Sequence, residues 1–139
     1  MRVLLSIKPE YVDRIFSGEK RYEFRKTSFS RAVSCVVVYA TYPVGLVVGE
    51  FEVGTILESD PTEIWARTQK SAGISKDLYF KYFSGRVKAV AIQIKKVHRY
   101  REAVNPYNRC KNFIAPQSFR YLDDASTCKQ ISFLNCCPA

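Results

Sequence analysis

The run of mostly β-branched, apolar residues at positions 33–41 restricts the fold more than any other feature of this sequence. A run of this kind buries side chains on both faces and is typical of a central strand in a sheet. The short apolar run at residues 3–7 predicts a second buried strand. Alternating patterns at residues 21–25 and 88–100 predict strands with one buried face, and residues 46–57 predict another strand or a bent pair.

Helix signals interrupt this series of strands at two places. Pro9 suits a first helical position and Gly18 suits the left-handed position after a helix, which together predict a helix over residues 9–17. Residues 60–63 have the pattern of a capping box, and residues 75–84 predict a further helix. The sequence therefore predicts an α+β fold, a small mixed β-barrel of five or six strands with helices packed against it.

The length of 139 residues and the mass of 16.0 kDa are typical of one domain. The longest candidate apolar run, residues 35–40, has the length of a strand and is far too short to span a membrane. The beginning of the chain lacks the apolar core of a signal peptide. We therefore expect a cytoplasmic protein with no membrane partner.

The cysteines do not form a metal-binding pattern. There are five of them, none in a C-x2-C pair, and His98 is the single histidine. Zinc ligands usually come in such pairs or in cysteine–histidine clusters, so we expect neither a metal nor another cofactor. With no export signal, the thiols are expected to be reduced. The sequence Cys136-Cys137-Pro138 predicts a loose, oxidation-prone tail.

The positive charge is concentrated in the second half of the chain. Residues 1–60 carry eight basic and eight acidic side chains, whereas residues 61–139 carry fourteen basic and five acidic ones, which gives the net charge of +9. Such an excess favours a polyanionic partner, most simply a nucleic acid. The alternative is an ordinary solvated strand edge. The residues predicted to form the basic surface are Lys88, Lys95, Lys96, Arg99 and Arg101.

The segment 18–26 is the densest group of charged residues, with four cations and two carboxylates. Glu23 and Arg25 fall on one face of the predicted strand, where they can pair. Arg25 could make a bidentate contact to a phosphate or a base edge, and Lys20 could act as a mobile point charge, nucleophile or base. Strict alternation points Lys20 away from Glu23, so a shared cleft requires the turn after Gly18 to break it. The alternative is a charged turn before an edge strand.

The pattern Gly18-x-Lys20-x-x-Glu23-x-Arg25, directly after an N-terminal helix, resembles the signature of the ASCH domain family, and in particular its small stand-alone prokaryotic members. The resemblance extends over roughly residues 2–122 and implies a PUA-like barrel at 1–122. The C-terminal tail at 123–139 has no counterpart in this resemblance, and from its own sequence we expect it to be loosely ordered. It also implies a cleft between barrel and helices that holds RNA or a modified nucleoside. Further similar segments are residues 4–10, 73–75, 82–85 and 115–119.

Three hypotheses of function follow from the charge and the resemblance. The main one is an RNA-binding protein, monomeric or homodimeric, that recognises single-stranded RNA or a nucleoside in a basic cleft formed by Lys20, Glu23 and Arg25. Tyr22 or Tyr42 would stack on a base, and DNA remains a possible partner.

The second hypothesis is a hydrolase with Lys20 and Glu23 as catalytic residues and Arg25 stabilising the developing charge. It would be either a ribonuclease or an enzyme similar to the N4-acetylcytidine amidohydrolases of the family. Those enzymes use a lysine, a threonine and a glutamate, and Glu23 stands where their motif has threonine. The third hypothesis is a non-enzymatic regulator of transcription or translation.

Overall fold

The computed structural model of the chain describes residues 1–110 and 112–122. This part of the chain contains six strands, four α-helices and one 3-10 helix (Gln69–Ser71), and the predicted α+β class is confirmed. The elements are β1 (Arg2–Ile7), α1 (Pro9–Ser17), β2 (Tyr22–Arg25), β3 (Cys35–Ala40), β4 (Leu46–Ser59), α2 (Pro61–Thr68), α3 (Lys76–Tyr82), β5 (Ala89–Val104), α4 (Pro106–Arg109) and β6 (Phe119–Tyr121).

The strands form one mixed sheet that curls into a half-barrel, in the order β2-β5-β4-β3-β1-β6. β1 and β3 are parallel neighbours, and every other pair is antiparallel. Both parallel strands are almost wholly buried, as their mostly apolar sequences predict. β4 is one continuous strand with three shifts of register against β5, rather than a bent pair.

Helix α1 packs on one face of the sheet through Val12 and Ile15, which join the largest apolar cluster together with Leu5 and Ile92. Helices α2 and α3 lie against the other face of β5, because Ile64 and Tyr79 cluster with residues such as Ala91 that alternate with Ile92. The short edge strand β2 therefore lies between the helix on one face and the helix pair on the other.

Capping residues set the ends of these helices. Gly18 ends α1 in the left-handed conformation, with φ of 90°, and its N–H donates to the Ile15 carbonyl. The Asp60 side chain accepts a hydrogen bond from the Glu63 N–H at 3.0 Å, as the capping-box pattern predicts. Ser75 caps α3 in the same way through the Leu78 N–H, at 3.2 Å.

Two of the expectations from sequence concern parts of the chain beyond those described. The C-terminal tail at 123–139, with Cys128, Cys136 and Cys137, lies outside the described residues. Within them, Cys35 is a free, half-buried thiol whose Sγ lies 3.1 Å from Glu50 Oε2. No helix of the described residues is both long and apolar enough to cross a membrane.

Candidate functional site

A cavity of about 520 Å³ opens beside the edge strand β2. Its wall combines the end of β1, the start of α1, the inner part of β2 and the exposed side of α3. A volume in this range is typical of pockets for small organic ligands. The polar groups in its wall include Lys20, Glu23 and Arg25.

The structure brings these three predicted residues together in one cavity. This requires that Lys20 does not follow the two-residue alternation of β2, and that is what the structure shows. Lys20 lies between Gly18 and the first residue of β2, Tyr22, so the two-residue period of the strand does not apply to it. The Lys20 N–H donates to the Arg14 carbonyl at 2.9 Å, and this bond turns the chain back over the end of α1.

Lys20 is a buried cation held at a fixed position. Only 2% of it is exposed, and its Nζ donates to the Ala72 carbonyl at 2.8 Å. The ammonium also lies 4.7 Å from the centre of the Phe24 ring and 5.2 Å from that of Tyr11. Burial lowers the pKa of Lys20 from 10.5 to about 8, although the nearby Glu23 carboxylate opposes this change. The sequence predicted a mobile point charge here, whereas the structure holds the amine in place.

Glu23 and Arg25 form the ion pair that their spacing predicts, with Glu23 Oε2 2.9 Å from an Arg25 terminal nitrogen. The same nitrogen donates to the Ser6 carbonyl at 2.7 Å, and the other terminal nitrogen donates to Ser118 Oγ at 3.4 Å. Arg25 thus connects β2 to β1 and to the segment before β6 across the open side of the half-barrel. Both of its terminal nitrogens already have partners within the fold.

Tyr22 lies away from the cavity. It is half-buried in the cluster beneath α2 and α3, on the strand face opposite Glu23 and Arg25. Tyr42 is 91% exposed on the turn between β3 and β4, and its neighbour Thr41 lines the cavity. Neither of the two tyrosines proposed from sequence for base stacking therefore lines the cavity, although Tyr42 is exposed next to it.

The residues of the predicted basic surface are exposed, but none of them lines the cavity. Arg99 is directed to the far side of α1, where it pairs with Asp13 at 3.6 Å and covers the Phe16 ring. The cations of the cavity wall are Lys8, Lys20, Arg25 and Lys81. The positive charge of the cavity thus comes from residues other than those of the predicted basic surface.

Sequence reasoning missed the contribution of α3 to the cavity. Leu78 and Tyr82, one helical turn apart, line it together with Lys81, whereas Tyr79 and Phe83 face the core. The apolar pattern at 75–84 predicts a single apolar helix face that contains all four of these residues. The helical spacing could have distinguished two faces. Residues 78 and 82 lie on the face toward the cavity, and residues 79 and 83 lie on the face toward the core.

Comparisons with known proteins agree with this architecture. A family model described as the ASCH domain matches residues 5–98. A curated relative from Zymomonas mobilis subsp. mobilis, named ASCH domain-containing ribonuclease, is 32% identical over 136 residues, which cover 93% of this chain and 89% of the relative. A crystal structure of ASCH from Zymomonas mobilis has a TM-score of 0.84 and 29% identity, covering 96% of this chain and 93% of that one.

A relative from Ureaplasma parvum carries the name large ribosomal subunit protein uL22. It is 34% identical over 123 residues, which cover 86% of this chain. The chain spans only 39% of the length of that relative. The similarity therefore concerns one part of a longer protein.

The buried amine makes stability depend on pH in a defined direction. Between pH 8 and 10.5 the unfolded chain binds more protons at Lys20 than the folded chain, so the stability of the fold rises with pH. We expect the wild type to gain on the order of 3 kcal/mol relative to Lys20→Met over this interval, measured by urea unfolding at several pH values. A difference between the two proteins that stays constant with pH would contradict the lowered pKa.

Gly73 lies against Lys20, and replacing it tests how tightly that contact is packed. A Cβ at Gly73 would overlap the Lys20 side chain, whereas a Cβ at Gly85 meets nothing within 4 Å. Both glycines have positive φ, 64° and 77°, so each alanine carries a similar backbone penalty of about 1–2 kcal/mol. We expect Gly73→Ala to lose a further 1–3 kcal/mol, roughly, in urea unfolding. Equal losses for the two variants would show that the contact has room.

Proposed function

The chain belongs to the ASCH domain family, and from this premise we propose that it is a ribonuclease that binds RNA and cleaves it in the cavity of Lys20, Glu23 and Arg25. The observation that carries the proposal is that a buried amine of lowered pKa and a carboxylate share the wall of one open cavity. Such pairs are what general acid–base chemistry requires. The ribonuclease name of the Zymomonas relative favours RNA as the substrate.

The proposed reaction is attack of the ribose 2′-hydroxyl on the adjacent phosphorus. Glu23 accepts the proton of the 2′-hydroxyl as the new P–O bond forms. The bond from phosphorus to the 5′-oxygen breaks, and the Lys20 ammonium donates its proton to that leaving oxygen. The products are a 2′,3′-cyclic phosphate and a free 5′-hydroxyl, with the two protons moved and no other reactant consumed. DNA lacks the 2′-hydroxyl and would therefore bind without being cleaved.

Lys20 suits the role of acid for two reasons. A pKa of about 8 keeps the amine largely protonated at neutral pH, and yet makes it a stronger acid than an ordinary lysine. Its hydrogen bond to the Ala72 carbonyl orients the ammonium and leaves two further N–H donors for a ligand. An amine in this state can also stabilise the charge that develops on the phosphate oxygens.

Arg25 is a positioning residue in this proposal. Its guanidinium holds the Glu23 carboxylate at 2.9 Å and is itself fixed by the Ser6 carbonyl. The positive charge of Arg25 also adds to the attraction that the cavity exerts on a phosphate. The guanidinium thus orients the proposed base and contributes charge through space.

A single nucleotide fits the dimensions of the cavity better than a duplex does. The volume of about 520 Å³ corresponds to one small-molecule ligand. Proteins that read unpaired RNA usually enclose single unstacked bases in such pockets. The proposed substrate is therefore single-stranded RNA, with one nucleotide inserted next to Lys20 and Glu23.

Removing either proposed proton-transfer group should abolish most of the activity. We expect Lys20→Met and Glu23→Gln each to lower kcat for a labelled single-stranded RNA by roughly 10²- to 10⁴-fold. Lys96→Met is the matched control, because Lys96 is exposed and lies outside the cavity wall. All variants should be purified in parallel, so that a contaminating nuclease would appear equally in each. Equal cleavage by Lys20→Met and Lys96→Met would rule out the proposed site.

A binding assay separates cleavage from recognition. With a 2′-O-methylated RNA, which cannot be cleaved by the proposed reaction, the wild type should bind more weakly as salt increases. Wild-type protein that binds this RNA but does not cleave unmodified RNA would support the binding hypothesis in place of the ribonuclease.

The pH dependence of cleavage tests whether Lys20 acts as acid or base. If the ammonium is the active form, kcat/KM is independent of Lys20 ionisation below pH 8 and falls about tenfold per unit above it. The measurement is cleavage of a fluorogenic RNA from pH 7 to 10, with a protein-free blank subtracted because hydroxide also cleaves RNA. Activity that rises from pH 8 to 10 would contradict the assignment.

A further inference from the structure

The geometry points to a path for the RNA strand that leaves the cavity over α3, with Tyr82 as a stacking platform and Lys26, Lys81 and Arg86 as phosphate contacts. This inference rests on the proposed function, because it places the nucleotides that flank the one in the cavity. It places the RNA-contacting cations at Lys26, Lys81 and Arg86 rather than at the basic surface predicted from sequence.

The path begins at the wall of the cavity itself. Tyr82 and Lys81 both line the cavity, and Tyr82 is 38% exposed. One edge contact fixes the Tyr82 ring, because Phe83 packs against it with the ring centres 4.8 Å apart and the planes at 74°. A tyrosine that is anchored on one side and exposed on another costs little entropy when a base stacks on it.

Two further cations extend the path away from the cavity. Lys26 Nζ lies 4.8 Å from the centre of the Tyr82 ring, and the Arg86 side chain donates to the Lys26 carbonyl at 3.2 Å. Lys26, Lys81 and Arg86 are all exposed. The path from the cavity to Tyr82, Lys26 and Arg86 is therefore continuous through contacts, although its residues come from two separate segments of the chain.

The charge of this surface is uncompensated. Among the residues that the structure describes, neither Lys26, Lys81 nor Arg86 lies within 4.0 Å of a carboxylate. Glu23, the carboxylate of the cavity wall, is already paired with Arg25. Asp77 lies one helical turn before Lys81 without forming an ion pair with it. A row of cations without ion pairs beside an exposed ring is an arrangement by which proteins hold single-stranded nucleic acid.

The residues predicted from sequence to form the basic surface lack these features. Lys95 and Lys96 are exposed, but neither lines the cavity. Arg99 is paired with Asp13 and covers the Phe16 ring.

Binding of a 2′-O-methylated single-stranded RNA decamer and of the corresponding dinucleotide tests the path. We expect Tyr82→Leu to weaken decamer binding by roughly five- to one-hundred-fold, and Tyr82→Phe to restore it. Lys26→Ala and Arg86→Ala should each weaken the decamer more than the dinucleotide. Each should also reduce the slope of log affinity against log salt by about 0.7, the value for one phosphate contact on a single strand.

Lys95→Ala and Lys96→Ala serve as matched controls, and the melting temperature of every variant verifies its fold. The path is wrong if Lys26→Ala and Arg86→Ala behave like these controls, or if the controls show the loss of slope instead. In either case, decamer binding that still depends on Lys20 would leave the proposed function intact. Wild-type protein that fails to bind the decamer at low salt would overturn both the path and the proposed function.

Discussion

The contacts of the Arg25 guanidinium join the fold to the candidate site. Arg25 lies on β2 and donates a hydrogen bond to the carbonyl of Ser6, which lies on β1. In the sheet, β5, β4 and β3 lie between these two strands. One side chain thus connects the two ends of a half-barrel that backbone hydrogen bonds leave open. The same guanidinium holds the Glu23 carboxylate. A group that closes the sheet therefore also orients the proposed base.

Lys20 shows the opposite relation between stability and function. Withdrawing its ammonium from water costs free energy, which the nearby Glu23 carboxylate, the bond to the Ala72 carbonyl and two aromatic rings only partly offset. Groups held in an unfavourable protonation state are concentrated where proteins carry out chemistry. The absence of a side chain at Gly73 allows the backbone to lie directly against Lys20. Residues 72 and 73 thus hold the Lys20 ammonium in a buried position that costs free energy.

The parts of this molecule that sequence could predict are those governed by local spacing. Pro9 and Gly18 mark the ends of α1, and the two-residue period of β2 places Glu23 beside Arg25. The partner of Lys20 could not be predicted, because Ala72 is 52 residues away and contributes a backbone atom. The position of the cavity likewise depends on how α3 packs against β2. The basic residues of β5 are exposed, as the sequence predicts. That they do not line the cavity cannot be predicted from composition, because it depends on how the chain folds.

The proposed function requires Lys20 to be a buried amine that meets an RNA phosphate. NMR titration of the Lys20 side chain, assigned by comparison with Lys20→Met, measures this without and with a 2′-O-methylated RNA. We expect Lys20 to titrate near pH 8 in the free protein and at a higher pH when RNA is bound, because an anion favours the charged amine. Titration near the usual value of 10.5, or a value unchanged by bound RNA, would contradict this expectation.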